Sequence, residues 1–135
     1  MVKGIAHVCF TVRDLERSVA FYVGALGLRP GFDFINEKGV RYGVYLCAGG
    51  RNFLELFEGE VGEAAARPAY RHLCLEVEDV AAAAETLRAK GVEVTPVKLG
   101  KDNSWQAWVA DPDGNRIELH GYTPESLQTA ALKRL

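Results

Sequence analysis

The same short pattern occurs twice in this 135-residue chain. Asn52-Phe53-Leu54-Glu55-Leu56 matches Asn115-Arg116-Ile117-Glu118-Leu119, and His7, seven positions before Asp14, matches His72, seven positions before Asp79. A period near 64 residues is too long for a solenoid unit, so it points to a tandem duplication of one module. Neither copy is long enough to bury a sheet alone. Whatever one copy folds into, the other must therefore repeat.

Hydrophobic periodicity supplies the elements of each copy. Residues 5–12 alternate as a strand, with Ala6, Val8, Phe10 and Val12 opposite His7, Cys9 and Thr11. Asp14 reads as an N-cap for a helix over 15–26 with Leu15, Val19, Tyr22 and Leu26 on one stripe, and Gly27 and Pro30 stop it. Strands follow over 32–36, 41–47 and 52–57, separated by turns at Glu37-Lys38-Gly39 and Gly49-Gly50. The second copy reads as a strand over 71–77, a helix over 80–90 capped by Asp79 and ended by Gly91, and strands over 92–98, 105–110 and 115–120, with Pro96 marking an edge or irregular position. Asp111-Pro112-Asp113-Gly114 is turn chemistry feeding the last strand, with Asp113 able to bond its own backbone. Strand, helix, three strands, twice over, predicts an α+β fold of two tandem βαβββ modules.

The expected organisation is one domain over 1–135. Module 1 covers about 1–58, a small and charged linker with room for a short helical turn about 59–69, and module 2 about 70–122. A C-terminal helix occupies about 123–135, with Pro124 at its first position and Leu127, Ala131 and Leu132 as a sparse apolar stripe for packing on the body or a partner.

Composition narrows the function class. A net charge of −2 with interspersed signs argues against nucleic acid or an anionic membrane surface as partner. No apolar run spans a bilayer and the N-terminus has no signal-sequence pattern, so a cytoplasmic address is expected. Cys9, Cys47 and Cys74, an odd number without scaffold spacing, fit a reducing compartment. Gly49-Gly50 lacks phosphate-loop spacing, and no nucleophile motif surrounds a Ser or Cys.

What remains is the repeated pair of histidine and glutamate. Taken singly, a strand histidine is commonly hydrogen-bonded and half-buried, and a strand glutamate commonly faces solvent. Taken together, His7, Glu55, His72 and Glu118 recur at equivalent places, and two imidazoles with two carboxylates suit a divalent first-row metal with positions left for water or substrate. His7, Cys9, His72 and Cys74 form a rival zinc quartet. Residues two apart on a strand stand about 6.6–7 Å from each other, which makes double ligation awkward and leaves the cysteines as pocket wall. Arg116 and His120 share the face of Glu118; they suit an anionic substrate or a solvated strand end equally. Trp105, Trp108, Tyr42, Tyr45, Phe53 and Phe57 read as core or pocket wall.

Ile5-Ala6-His7-Val8 leading to Asp14 and Phe21-Tyr22, the strand of His72, and Asp111-Pro-Asp-Gly-Asn-Arg-Ile-Glu118-Leu resemble the vicinal oxygen chelate superfamily, up to about Tyr122. That superfamily includes glyoxalase I, methylmalonyl-CoA epimerase, fosfomycin resistance enzymes, extradiol dioxygenases and bleomycin-binding proteins. The resemblance implies mixed sheets that curl around a metal pocket, often at the interface of a homodimer. It implies His7, Glu55, His72 and Glu118 as metal ligands, closest to the set with which bacterial glyoxalase I holds nickel, cobalt or zinc, with manganese or iron in other members. It implies a small carbonyl substrate chelated through neighbouring oxygens, Glu118 as the catalytic base and Glu55 as the second choice. The epimerases usually have Gln at the position of Glu55. Fosfomycin enzymes and extradiol dioxygenases use only the equivalents of His7, His72 and Glu118. Thr11 and Gly59 stand where glyoxalase I commonly has an Arg and an Asn serving glutathione, so the resemblance covers the metal set and stops short of the glutathione contacts. Alternatives within the superfamily are an epimerase, an extradiol-type dioxygenase or a non-catalytic antibiotic-binding protein.

Overall fold

A computed structural model describes residues 2–62 and 70–135. The chain divides into two compact units, Met1–Arg67 and Pro68–Leu135. Most of the linker expected over 59–69, with its helical turn, lies outside the described residues.

The first unit runs β1 (His7–Val12), α1 (Leu15–Val19), β2 (Arg29–Ile35), β3 (Arg41–Cys47) and β4 (Phe53–Glu58). Its sheet has the order β1-β4-β3-β2, with β1 parallel to β4 and the other neighbours antiparallel. The second unit runs β5 (Leu73–Glu76), α2 (Val80–Ala89), β6 (Lys98–Leu99), β7 (Trp105–Ala110), β8 (Arg116–Gly121) and α3 (Leu127–Leu132). Its order, β5-β8-β7-β6, repeats the first with the same parallel pair, β5 with β8. The duplication read from the pattern is thus a duplication of topology, two four-stranded mixed βαβββ sheets. In both, the last strand lies at the inside of the sheet against the first, which brings the glutamate strand beside the histidine strand.

Alternation sorts the two faces. Phe10, Val12, Val44, Leu46, Leu54 and Leu56 are buried on one face of the first sheet, and Ala107, Val109, Ile117 and Leu119 on the corresponding face of the second. Leu15, Ser18 and Tyr22 are buried from the first helical segment, and Val80, Ala84 and Leu87 from α2. Removing this apolar area from water is the dominant favourable term for each unit.

Several boundaries differ from the sequence reading for identifiable reasons. The helix expected over 15–26 is α-helical only to Val19 and continues as π-helical turns over Ala20–Ala25. The wider winding brings Tyr22 to full burial and leaves Val19 and Leu26 half-buried. β2 begins at Arg29 and accommodates Pro30 because it is an edge strand. The strand expected over 92–98 shrinks to Lys98–Leu99: Pro96 has no N–H for a ladder, and Thr95 substitutes with its amide on the Trp108 carbonyl and its hydroxyl accepting from the Trp108 amide. In the Asp111 turn the carboxylate of Asp111 accepts from the amides of Asp113 and Asn115 at 2.9 and 2.8 Å. Gly114 takes the positive φ of 84° that this turn needs.

The C-terminal helix also starts later than expected. Pro124 lies in the turn before it; Ser126 is the N-cap, accepting from the Thr129 amide. Its apolar stripe stays uncovered, with Leu127 59% and Leu132 61% exposed. What ties this helix down is polar: Gln128 donates to Asp102, and the Leu127 amide to the Asp102 carbonyl. Among the described residues no helix is long and apolar enough to cross a membrane.

Candidate metal centre

In the first unit, the parallel register sets Cys9 opposite Glu55 and His7 opposite Phe53, while Tyr45 of β3 flanks Glu55 on the other side. His7 Nε2 lies 3.7 Å from Glu55 Oε2. The other ring nitrogen, Nδ1, is 3.0 Å from the Tyr45 hydroxyl, which fixes the imidazole's orientation. The Cys9 thiol bonds Glu55; burial first and then this carboxylate push its pKa up. Phe53, Phe57, Phe34 and Phe32 pack around Tyr45 and one another, so this half-site sits in an aromatic surround. Gly43 makes the room: a Cβ there would stand 2.4 Å from the Phe57 ring.

In the second unit the same register sets Cys74 and Trp108 on either side of Glu118. His72, one residue ahead of β5, places Nε2 at 3.1 Å from Glu118 Oε2 and its ring edge-on to Trp108. The Cys74 thiol is pushed up to about 12, chiefly by burial and then by Glu118. Arg116 lies over the Trp108 ring at 4.4 Å, a cation–π contact.

Each unit therefore brings its own predicted histidine and glutamate together. Glu55 and Glu118 are mostly buried, with 17% and 11% of their side chains exposed. Among the described residues the ion-pair partners of both are histidines, never Lys or Arg. Two mostly buried carboxylates without a permanent positive partner are a costly arrangement unless a cation or protons complete it. The donor set fits a divalent metal: imidazole Nε2 and carboxylate oxygens suit zinc, nickel or cobalt. The rival quartet through the cysteines fits less well, because both thiols are held protonated against the glutamates.

His120 is no solvated strand end; only 8% of its side chain is exposed. Its Nδ1 is 3.2 Å from Glu118 Oε1 and its Nε2 3.6 Å from Asp102 Oδ2. Cys74, Glu118 and His120 present ligand-type atoms within 4.8 Å of one another. The alternation that put His120 on the face of Glu118 was readable, but Asp102 and Gln128 enter from a loop and a helix that no local pattern ties to the site.

The comparisons with known proteins agree with this fold. Residues 4–119 match the family model described as the Glyoxalase/Bleomycin resistance protein/Dioxygenase superfamily. A lactoylglutathione lyase of Salmonella typhimurium is 34% identical over 124 residues, covering 85% of this chain and 90% of that protein. The protein YwkD of Bacillus subtilis is 30% identical over 125 residues, covering 89% and 98%. Among solved structures, TnmS3, an antibiotic binding protein from Streptomyces sp. CB03234, superposes with a TM-score of 0.72 at 28% identity, covering 90% of this chain and 98% of that one. By sequence match and by architecture, the chain belongs to the glyoxalase/bleomycin resistance protein/dioxygenase superfamily.

Proposed function

We propose that the chain is a divalent-metal-dependent isomerase or lyase of the glyoxalase I type, with His7, Glu55, His72 and Glu118 holding one nickel, cobalt or zinc ion, within one chain or between the two copies of a homodimer. The observation that carries this reading is the repeated pairing of a histidine Nε2 with a mostly buried glutamate, at 3.7 Å in one unit and 3.1 Å in the other. A bound cation of this kind supplies Lewis acidity to the paired oxygens of a carbonyl substrate.

The chain's own residues then do the rest. Glu118 takes the proton from the carbon next to the carbonyl and returns it to the neighbouring carbon, with Glu55 as the second candidate. Tyr45 holds His7 through Nδ1, leaving Nε2 for the cation. Trp108 packs edge-on against His72 and shields the Glu118 side of the site from water. Thr11 and Gly59 lie side by side, since a Cβ on Gly59 would stand 3.1 Å from the Thr11 methyl. Neither side chain offers charge or an amide to a peptide-like thiol, which leaves two glutathione contacts unmade and favours a small carbonyl compound as substrate.

Metal analysis of protein purified without chelators tests the reading. A divalent ion retained through gel filtration is expected; protein that arrives empty and refuses Ni2+, Co2+ and Zn2+ refutes it. A second reading, antibiotic sequestration without catalysis, is favoured by the aromatic surround of the first unit and the likeness to TnmS3. It requires flat aromatic ligands to bind equally well with metal present or removed. An extradiol dioxygenase would instead retain iron and consume oxygen with a catechol.

A further inference from the structure

We infer that His120 is a positioning residue for Glu118, holding one carboxylate oxygen so that the other is presented to His72 and the metal. This rests on the reading of Glu118 as a ligand and base. The two oxygens of Glu118 are divided between two imidazoles: Oε1 lies 3.2 Å from His120 Nδ1, and Oε2 lies 3.1 Å from His72 Nε2. An ionised carboxylate only accepts, so the contact at Oε1 needs a proton on His120 Nδ1.

The ring itself is held from behind. Tyr122 packs edge-on against it at 5.2 Å between centroids, and Asp102 faces its Nε2 at 3.6 Å, beyond hydrogen-bonding reach, so this buried nitrogen has no hydrogen-bond partner. Asp102 is fixed in turn by Gln128 Nε2 at 2.6 Å and the Ser104 amide at 3.3 Å, and the Ser104 hydroxyl bonds Gln128 Oε1 at 3.2 Å. A chain of polar contacts thus runs from α3 through Asp102 to His120 and ends on Glu118.

The first unit has no such device at the matching place. Two residues after Glu55 stands Phe57, and there it is the histidine, His7, that is held by a third residue, Tyr45. Fixing the glutamate, rather than the histidine, is what a carboxylate needs if it is to exchange between the metal and a substrate proton without losing its aim. It also singles out Glu118 over Glu55 as the group set up for proton transfer.

Three substitutions separate positioning from mere filling. His120→Asn keeps an N–H near the place of Nδ1, His120→Gln moves its N–H toward the place of Nε2, and His120→Leu has none. Metal-free protein is titrated with Zn2+ against a chromophoric chelator, with far-UV circular dichroism confirming each fold. Wild type and His120→Asn should bind alike, whereas His120→Gln and His120→Leu should bind about 10- to 100-fold more weakly. A folded His120→Leu that binds Zn2+ as tightly as wild type overturns the proposal.

A second measurement does not need metal. Long-range 1H–15N correlation spectra of the metal-free protein should show His120 protonated at Nδ1, and a ring protonated only at Nε2 overturns the proposal. Loss of the Nδ1 proton when Zn2+ is added would make His120 a ligand beside Cys74 and overturn it too. Wild-type protein that takes no Zn2+ but shows the Nδ1 proton bound to Glu118 would refute the metal reading while the positioning contact stands.

Discussion

Two residues past its glutamate, the first unit has Phe57 lying over Gly43, and the second has His120 bonded to Glu118. The strand order, the parallel pairing, the histidine and the cysteine opposite the glutamate are the same in both. The faces that carry them are not. The first unit adds Tyr45, Phe53 and Phe57 around Glu55; the second adds Trp108, Arg116 and His120 around Glu118. One copy of the duplicated module sets its histidine and glutamate in an aromatic wall, and the other sets them in a hydrogen-bonded polar cluster. Topology places the glutamate in both; the residues on neighbouring strands decide what the glutamate can do.

The largest effect should come from the histidines. His72→Ala removes the closer contact to the better buried glutamate and should abolish metal retention through gel filtration, while His7→Ala, at the more exposed pair, should leave a weakened but measurable site. Metal content by mass spectrometry checks both. If His7→Ala loses the metal and His72→Ala keeps it, the assignment of roles between the units is wrong.

Thiol reactivity probes the same asymmetry in metal-free protein. Burial and Glu118 push Cys74 up to about 12, whereas the Gly49 backbone and Arg29 lower Cys47. At pH 9 the Cys74 thiolate population should be about 500-fold below that of an unperturbed thiol, so iodoacetamide should label Cys47 first and Cys74 last, read by peptide mass spectrometry. The folded chain also holds the Cys74 proton more tightly than the unfolded chain. Stability should therefore fall as pH rises from about 9 toward about 12, and Cys74→Ala should remove that part of the loss. Equal labelling of Cys47 and Cys74 would show that Glu118 does not hold the Cys74 proton.

Where the units are alike, the costs should match. Leu56 and Leu119 are buried at equivalent places beside the two glutamates. Leu56→Ala and Leu119→Ala should each cost about 2–5 kcal/mol in urea unfolding. A much smaller loss for one would mean that its sheet can collapse around the gap.

Most of this architecture was legible because two periods are easy to read. Alternation found the faces of β1, β7 and β8, and the caps Asp14 and Asp79 found both helices. What escaped was set by contacts the pattern does not carry. The first helix widens into π-helical turns that bury Tyr22, Thr95 replaces a ladder bond that Pro96 cannot make, and Ser126 outcompetes Pro124 as a helix start. In the candidate site, the repeat itself pairs His7 with Glu55 and His72 with Glu118. His120 was visible on the right face but not as a buried residue, because the side chains that close over it include Tyr122 and Asp102, neither of which repeats.

The smallest expected effect lies in the helix caps, where the two copies differ by a single hydrogen bond. Asp79 accepts from the amides of both Ala81 and Ala82, at 2.8 and 3.0 Å, whereas Asp14 accepts only from the amide of Arg17, at 2.9 Å. In the first unit the amide of Leu15 is satisfied from elsewhere, by Glu58 Oε2 at 3.0 Å. Removing Asp79 strands two helix donors, and removing Asp14 strands one. Asp79→Ala should therefore cost about 1 kcal/mol and up to about 2, with Asp14→Ala at the lower end near 0.5 kcal/mol, both from urea unfolding. Glu58→Gln, which keeps an acceptor for Leu15, should cost less than Asp14→Ala; a larger loss would show that the last strand of the first unit, and not Asp14, is what starts its helix.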